Sequence, residues 1–197
     1  MIFKRELNIN IFVKLEALGK GWLGKVYKVH DESTGNFFAA KISRLENYQL
    51  SKEIKLLFHT EIEIMDKVNH PTALKLYGHG PVNFNKKRLT FILELTKIDL
   101  DTILELERES NAPDGWYLTP KLIVIYGIAS AMKYLHSLNI IHCDLKPANI
   151  LLDEYLFPKV GDFGLSKILH RYNIDQSEND AKGTPSYMAP EIWCYCI

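Results

Sequence analysis

The sequence predicts an α+β chain in two lobes, a strand-rich first half with one long helix followed by a helical second half. Three observations lead there. The first forty-odd residues alternate apolar and polar, the period of a half-buried strand. The period then lengthens to that of a helix across "SKEIKLLFHTEIEIMDKVNHP". From Thr119 the chain again keeps helical spacing over "TPKLIVIYGIASAMKYLHSL".

The elements follow in order. "FVKLEALG" and "KVYKVHD" read as strands, and "NFFAAKIS" as a third after a turn at "ESTGN". Ile54, Leu57, Phe58, Ile62, Met65 and Val68 then form a helical stripe, which His70-Pro71 is expected to stop. "ALKLYGHG" and "RLTFILEL" are two further strands. Residues 108–115, polar with Asn and Pro, read as a surface loop. The second helix is expected to take Thr119 as its cap with Pro120 at its first position. Its apolar residues Leu122, Ile125, Met132 and Leu135 recur at helical spacing. No internal repeat or low-complexity linker interrupts the chain.

The bulk numbers bound the class. A hydrophobic fraction of 47% over 197 residues is enough for a core in one domain or a two-lobed one. Lys plus Arg and Asp plus Glu are 24 each, so net charge gives no reason to expect nucleic acid or an anionic membrane as partner. Three cysteines, Cys143, Cys194 and Cys196, make no disulfide framework and no repeated zinc spacing. "MIFKRELNIN" has charges where a signal peptide needs an apolar run, and "LIVIYGIASAM" is too short to span a bilayer. A reducing, cytoplasmic location is the resulting expectation.

Four groups of residues carry candidate chemistry. Gly19, Gly21 and Gly24 form G-x-G-x-x-G. A dinucleotide-binding reading needs a helix straight after the glycines and an acid about twenty residues on, and Lys25 to His30 alternates like a strand instead. A glycine-rich hairpin whose amides approach phosphate, or a plain β-turn, are the alternatives. Lys41 sits among apolar neighbours in "FFAAKI" and needs a partner or water. Glu61 falls on the apolar stripe of the first helix, so an inward carboxylate calls for a cation, and Lys41 is the natural candidate. The plain alternatives are an edge-strand lysine and a glutamate reaching to water; Glu63, off the stripe, reads as solvated.

The fourth group is "IIHCDLKPANILLD", with "KVGDFGLS" after it. Asp144 is suited to orient a hydroxyl or accept its proton, Lys146 to neutralise charge on a transferring group, and Asn149 to ligate a hard cation. Asp162, after an apolar run and before Gly164, is a second cation ligand. One Asp and one Asn are sparse coordination unless phosphate oxygens complete the shell, as Mg²⁺ sites arrange. Each residue alone has a turn or cap as its plain reading; together they do not.

At this point the sequence resembles the eukaryotic protein kinase family, serine/threonine type, from about Leu15 to Glu191. The resemblance implies a small β-rich lobe over 12–95 with one key helix, and a mainly helical lobe over 96–197. It implies an enzyme that moves the γ-phosphate of ATP to a Ser or Thr hydroxyl of a protein, with ATP and Mg²⁺ bound. Leu18, Gly19, Lys20, Gly21, Trp22, Gly24 and Val26 would cover the nucleotide. Lys41, paired to Glu61, would touch its α- and β-phosphates. Ala39, Leu93, Glu94, Leu95 and Leu151 would meet the adenine, with Val26. Asn149 and Asp162 would hold Mg²⁺. Asp144, Lys146 and Thr184 complete the catalytic set, Thr184 bridging the other two. His142, Phe163, Met65 and Leu76 match the family's stacked apolar spine.

Two departures stand out. Cys143 takes the place of an arginine that, in relatives switched by phosphorylation, pairs with a loop phosphate. With Asp180 close before Gly183, this suggests a catalytic step that does not depend on phosphorylation of that loop. The second is that the sequence ends at Ile197, soon after Glu191, where the family's larger lobe continues, and the arginine that usually pairs with this glutamate is absent. The expectation is an incomplete larger lobe, with an apolar face of the 119–138 helix open to a partner or a further segment. A catalytically impaired nucleotide-binding or regulatory module, or a gene fragment, is the alternative function on that ground.

Overall fold

The computed structural model describes residues 7–8, 11–21, 24–44, 51–80, 88–169 and 183–193. They fall into two compact units: Met1–Asn69 with Leu74–Thr96, and His70–Ala73 with Lys97–Ile197.

The first unit is built on a five-stranded antiparallel sheet of β1 (Phe12–Lys20), β2 (Gly24–Asp31), β3 (Phe37–Ser43), β4 (Leu76–Gly80) and β5 (Thr90–Leu93). Its strand order is β1-β2-β3-β5-β4. The alternation read from the sequence is what lets one sheet face bury Val29, Ala40 and Ile92, with Phe12, Phe38 and Ile42 packed around them. Asp31 closes the β2–β3 turn: its carboxylate accepts hydrogen bonds from the Ser33 and Thr34 hydroxyls at 2.6 and 2.8 Å. Those two hydroxyls hold its pKa below the ordinary carboxylate value. Helix α1 (Lys52–Lys67) starts where the Ser51 hydroxyl accepts from the Ile54 amide. It buries Phe58, Glu61, Ile62, Ile64 and Met65. The helix ends at Lys67, capped by the extended Val68, so it stops before His70-Pro71 reaches it. Glu63, read as solvated, is instead half-buried, and Lys67 one turn on lies 2.9 Å away.

The second unit contains α2 (Leu100–Arg108), α3 (Leu118–Ser137), a short α4 (Pro190–Trp193) and two small sheets. One sheet orders β6 (Ile98–Asp99), β8 (Ile150–Leu152) and β9 (Pro158–Val160); the other pairs β7 (Ile140–Ile141) with β10 (Lys167–Ile168). Its core gathers Ile103, Trp116, Val124, Ala131, Ile150, Leu152 and Val160.

Three details differ from the sequence reading. Helix α2 falls where no helix was read. Asp99 makes it, since its carboxylate accepts from both the amide and the hydroxyl of Thr102. Helix α3 begins one residue before Thr119, after Tyr117, and no side chain caps it. Its buried face is Val124, Gly127, Ala131 and Leu135, while Leu122, Ile125 and Tyr126 are 55%, 63% and 77% exposed. An apolar face therefore lies open on the described part of this unit. Gly127 has a packing reason: a Cβ there would come 2.3 Å from Pro158 Cγ on β9. The α+β architecture itself is the one the sequence predicts. Among the described residues no helix is long and apolar enough to cross a membrane.

Candidate active site

In the first unit, β1 and β2 form a hairpin whose register pairs Gly19 with Val26 and Lys20 with Lys25, and the Gly21 amide donates to the Gly24 carbonyl at 2.8 Å. A strand, not a helix, follows the glycines, so the dinucleotide-binding alternative does not apply. The glycines serve different ends. A Cβ on Gly24 would come 2.2 Å from the Ile42 carbonyl oxygen, so β3 requires glycine there, whereas Gly19 faces open space. Trp22 lies outside the described residues. Leu18, Lys20 and Gly21 are exposed and Val26 is half-buried.

Strand β3 places Lys41 opposite Val26 on one side and Phe91 on the other. Its ammonium meets Glu61 at 2.6 Å, with side chains 17% and 2% exposed. A carboxylate that deep in apolar surroundings stays charged only beside a cation. Ala39 and Leu93 are paired across β3 and β5 and are both buried. Glu94 is anchored, its amide donating to the Lys75 carbonyl at 2.9 Å and its carboxylate accepting from the Lys75 amide at 3.3 Å. Leu95 is half-buried.

In the second unit the segment from β7 to β8 assembles a network around Asp144, which is 8% exposed. One carboxylate oxygen, Oδ1, accepts from the Thr184 amide at 2.9 Å and the Thr184 hydroxyl at 2.7 Å. The other, Oδ2, accepts from Asn149 Nδ2 at 3.0 Å and lies 2.9 Å from Lys146 Nζ. Lys146 Nζ also donates to the Thr184 hydroxyl at 2.7 Å. Asn149 Nδ2 is further held by the Asp144 carbonyl at 2.7 Å. Burial alone raises the Asp144 pKa. The hydrogen bond from Thr184 and the ammonium of Lys146 outweigh it, and the carboxyl ends below its ordinary value.

His142 supports this loop from beneath. It is 1% exposed, and its Nδ1 accepts from the Asp144 amide at 3.3 Å. Nε2 therefore carries the proton and donates to the Gly161 carbonyl at 2.9 Å. Burial pushes the imidazole below its usual pKa, more than the Gly161 bond restores. The ring packs 5.4 Å from that of Phe163, and the His142 carbonyl accepts from the buried Ser166 hydroxyl at 3.0 Å. The Gly161 amide donates to the Asn149 carbonyl at 2.9 Å, which ties the end of β9 to the Asn149 turn. Asp162 follows in the left-handed region, φ 58°, exposed at the mouth of that turn. Leu151 is half-buried on β8.

Asn149 and Asp162 offer hard oxygen donors, and the carboxamide nitrogen of Asn149 is already committed to Asp144. This donor set suits a hard divalent cation that takes the rest of its shell from a ligand. Among the described residues, no group of three or more His, Cys, Asp or Glu side chains stands ready to hold a metal alone.

Cys143, at φ 65°, directs its thiol to the Ile141 carbonyl at 3.6 Å. Burial raises its pKa, so the thiol stays neutral and offers no charge to a phosphate. Asp180, Cys194 and Cys196 lie outside the described residues. Two contributors escaped the sequence reading. Ser166 carries no spacing signal. Gly183, φ 146°, is required because a Cβ there would meet the Cys143 carbonyl oxygen at 2.7 Å; its place in "GTPSYMAPE" was the available clue.

The protein kinase domain family model matches residues 12–195, and the chain belongs to that family. It is 37% identical over 180 residues to the serine/threonine-protein kinase RUNKEL of Arabidopsis thaliana, covering 90% of this chain and 12% of that protein. It is 35% identical over 198 residues to an Aurora kinase of Saccharomyces cerevisiae, covering 95% of this chain and 48% of that one. It is 38% identical over 184 residues to myosin light chain kinase A of Dictyostelium discoideum, covering 90% and 57%. The chain thus spans less than two thirds of the length of each.

Proposed function

We propose that this chain is the catalytic domain of an ATP-dependent protein serine/threonine kinase, with residues 12–95 in its small lobe and 96–197 in its large lobe. The observation that carries the reading is the network in which Asp144, Lys146, Asn149 and Thr184 fix one another. Each is charged or polar, and the reaction needs each beside the next.

The chemistry runs on this chain's own groups. A substrate hydroxyl donates its hydrogen bond to Asp144. As its oxygen bonds to the γ-phosphorus, the bond from that phosphorus to the β,γ-bridging oxygen breaks and ADP leaves. The hydroxyl proton passes to Asp144. A carboxylate held below its usual pKa is a weak base, so its larger contribution is orientation, with the proton moving late. Lys146 offsets charge on the transferring group while its bond to Thr184 holds it in place. Asn149 and Asp162 would hold Mg²⁺ through their side-chain oxygens, and the ion would supply positive charge to the nucleotide phosphates. Lys41 pairs with the α- and β-phosphates, steadied by Glu61. Gly19 and Gly21, open above the hairpin, let the backbone approach phosphate. Val26, Ala39, Leu93, Glu94, Leu95 and Leu151 are assigned to the adenine. Serine/threonine preference rests on the Lys146–Thr184 bond and on the relatives' names.

The test is a thermal melt of wild type and Lys41→Ala, with and without Mg²⁺-ATP. A ligand that binds only the folded state raises the melting temperature. A rise in wild type that Lys41→Ala loses supports the reading; a wild-type melt blind to Mg²⁺-ATP overturns it.

A further inference from the structure

In the first unit one arginine reaches from the end of β3 to the glycine turn, and nothing in the Asp144 chemistry accounts for it. Arg44 follows Ser43, the last residue of β3, and is exposed. Its Nη2 donates to the Gly21 carbonyl at 2.8 Å, across 23 residues of chain.

The turn needs such a tie because its own strand cannot place it. β1 is exposed from Val13 to Lys20. Its pairing with β2 shifts register between Lys14 and Ala17 and again between Ala17 and Gly19, and each irregularity interrupts the ladder. At its end Lys20 lies opposite Lys25, and like charges directly across a pair repel. Gly19 and Gly21 bring no side chain to pack. A Cβ on Gly19 would meet nothing within 4 Å, and one on Gly21 would meet the Gly24 carbonyl oxygen at 4.0 Å.

Strand β3 is the opposite case. Its register with β2 is unbroken from Gly24–Ser43 to His30–Phe37. Ser43 is buried, and its amide donates to the Leu89 carbonyl at 2.9 Å. Arg44 therefore stands on a fixed strand end. A bond from a guanidinium to a carbonyl is charge-assisted and stronger than a neutral one. By holding the Gly21 carbonyl, it sets the plane of the peptide group to which that carbonyl belongs. The Gly21 amide, in the peptide group before, donates to the Gly24 carbonyl at 2.8 Å. Both peptide groups that flank the Gly21 Cα are thus fixed, one within the hairpin and one to β3.

We infer that Arg44 is a positioning residue: from the end of β3 it holds the glycine turn in the orientation that covers the nucleotide phosphates. The inference rests on the reading that this hairpin covers ATP. A turn already held in its bound arrangement does not have to be ordered when the ligand arrives, so affinity rises without a new contact.

The test is titration calorimetry of Mg²⁺-ATP and of adenosine with wild type and Arg44→Ala. Adenosine has the base and ribose but no phosphates, so the turn adds nothing to its binding. Arg44→Ala should weaken Mg²⁺-ATP about fivefold and leave adenosine within about twofold, as loss of one exposed charged hydrogen bond allows. In the nucleotide-free protein the Gly21 amide, followed by NMR, should exchange with solvent faster in the variant. Arg44→Lys, long enough to donate one bond, should recover part of the affinity. Equal Mg²⁺-ATP affinity in both proteins overturns the inference. So does an equal loss for both ligands, which would mean that Arg44 supports the whole unit. Weaker Mg²⁺-ATP binding with unchanged Gly21 exchange also overturns it, since the charge would then act on the phosphates directly. A wild type that binds neither ligand overturns the kinase reading and the inference with it, which separates that failure from the other three.

Discussion

Replacing Lys41 by methionine tests whether the Glu61 pair is a buried one. The substitution keeps the aliphatic stem and removes the ammonium that lies 2.6 Å from a carboxylate only 2% exposed. Removing one partner of a buried pair costs about 3–5 kcal/mol, since the other charge keeps its desolvation penalty. The Lys41 side chain retains 17% of its exposure, which points to the low end, about 3 kcal/mol. At a slope of about 2 kcal/mol per molar urea, the unfolding midpoint falls by about 1.5 M. The second arm is Lys41→Met/Glu61→Leu, which replaces the pair with apolar groups of similar volume. It should recover to within about 1 kcal/mol of wild type, far from the sum of the two single costs. Equilibrium urea unfolding followed by far-ultraviolet circular dichroism reads wild type, Lys41→Met, Glu61→Leu and the double variant. A single-variant cost below about 1 kcal/mol, or a double variant as unstable as the sum, would show that water screens the pair. Neither Lys41 variant should transfer phosphate, so stability and catalysis separate in this series.

Three further outcomes are expected. Thr184→Val removes the hydroxyl from Asp144 and Lys146 but keeps the amide bond, so kcat should fall about 10–100-fold, the kinetic equivalent of about 1.5–3 kcal/mol, with KM for ATP little changed. Thr184→Ser should restore most of it in steady-state kinetics; an unaffected kcat in the valine variant counts against the network. Gly127→Ala drives a Cβ to 2.3 Å from Pro158 Cγ, an overpacking cost of about 1–3 kcal/mol that outweighs alanine's helix preference of about 1 kcal/mol. Urea unfolding should show net loss, and a gain would mean α3 and β9 can part freely. Burial holds His142, and to a lesser depth His59, below the ordinary imidazole pKa. The unfolded chain therefore binds more protons as pH falls, so stability is full above about pH 6.5 and declines below it. The urea midpoint should drop between pH 7.5 and 5.5, and His142→Gln should flatten that slope; an equally steep slope in the variant assigns the effect elsewhere.

What the sequence made legible is what periodicity and short spacing encode. Strands β1 to β3 and helix α1 emerge from alternation and from the Phe58–Ile62–Met65 stripe. An inward Glu61 is visible because a carboxylate interrupts that stripe. Helix α2 escaped because it is nine residues long and acidic, and its start is set by a cap at Asp99 rather than by a long apolar run. The buried face of α3 was misread because the helix is apolar nearly all round, so spacing alone cannot say that Val124 and Ala131 turn inward while Leu122 and Ile125 turn out. In the site, Asp144 and Thr184 lie forty residues apart, and His142 and Ser166 twenty-four. No local period links such positions; for Thr184 a family motif substitutes for one, and for Ser166 nothing does.

The most direct measurement is transfer of radiolabelled γ-phosphate from Mg²⁺-ATP to a serine- and threonine-bearing protein substrate, wild type against Asp144→Asn, followed by phosphoamino-acid analysis. Asparagine keeps the size of the side chain and removes the charge that orients and receives the hydroxyl proton. The account predicts phosphoserine or phosphothreonine from wild type and a loss of at least about 100-fold in the variant. Equal transfer by both proteins, or phosphate on tyrosine alone, would contradict it.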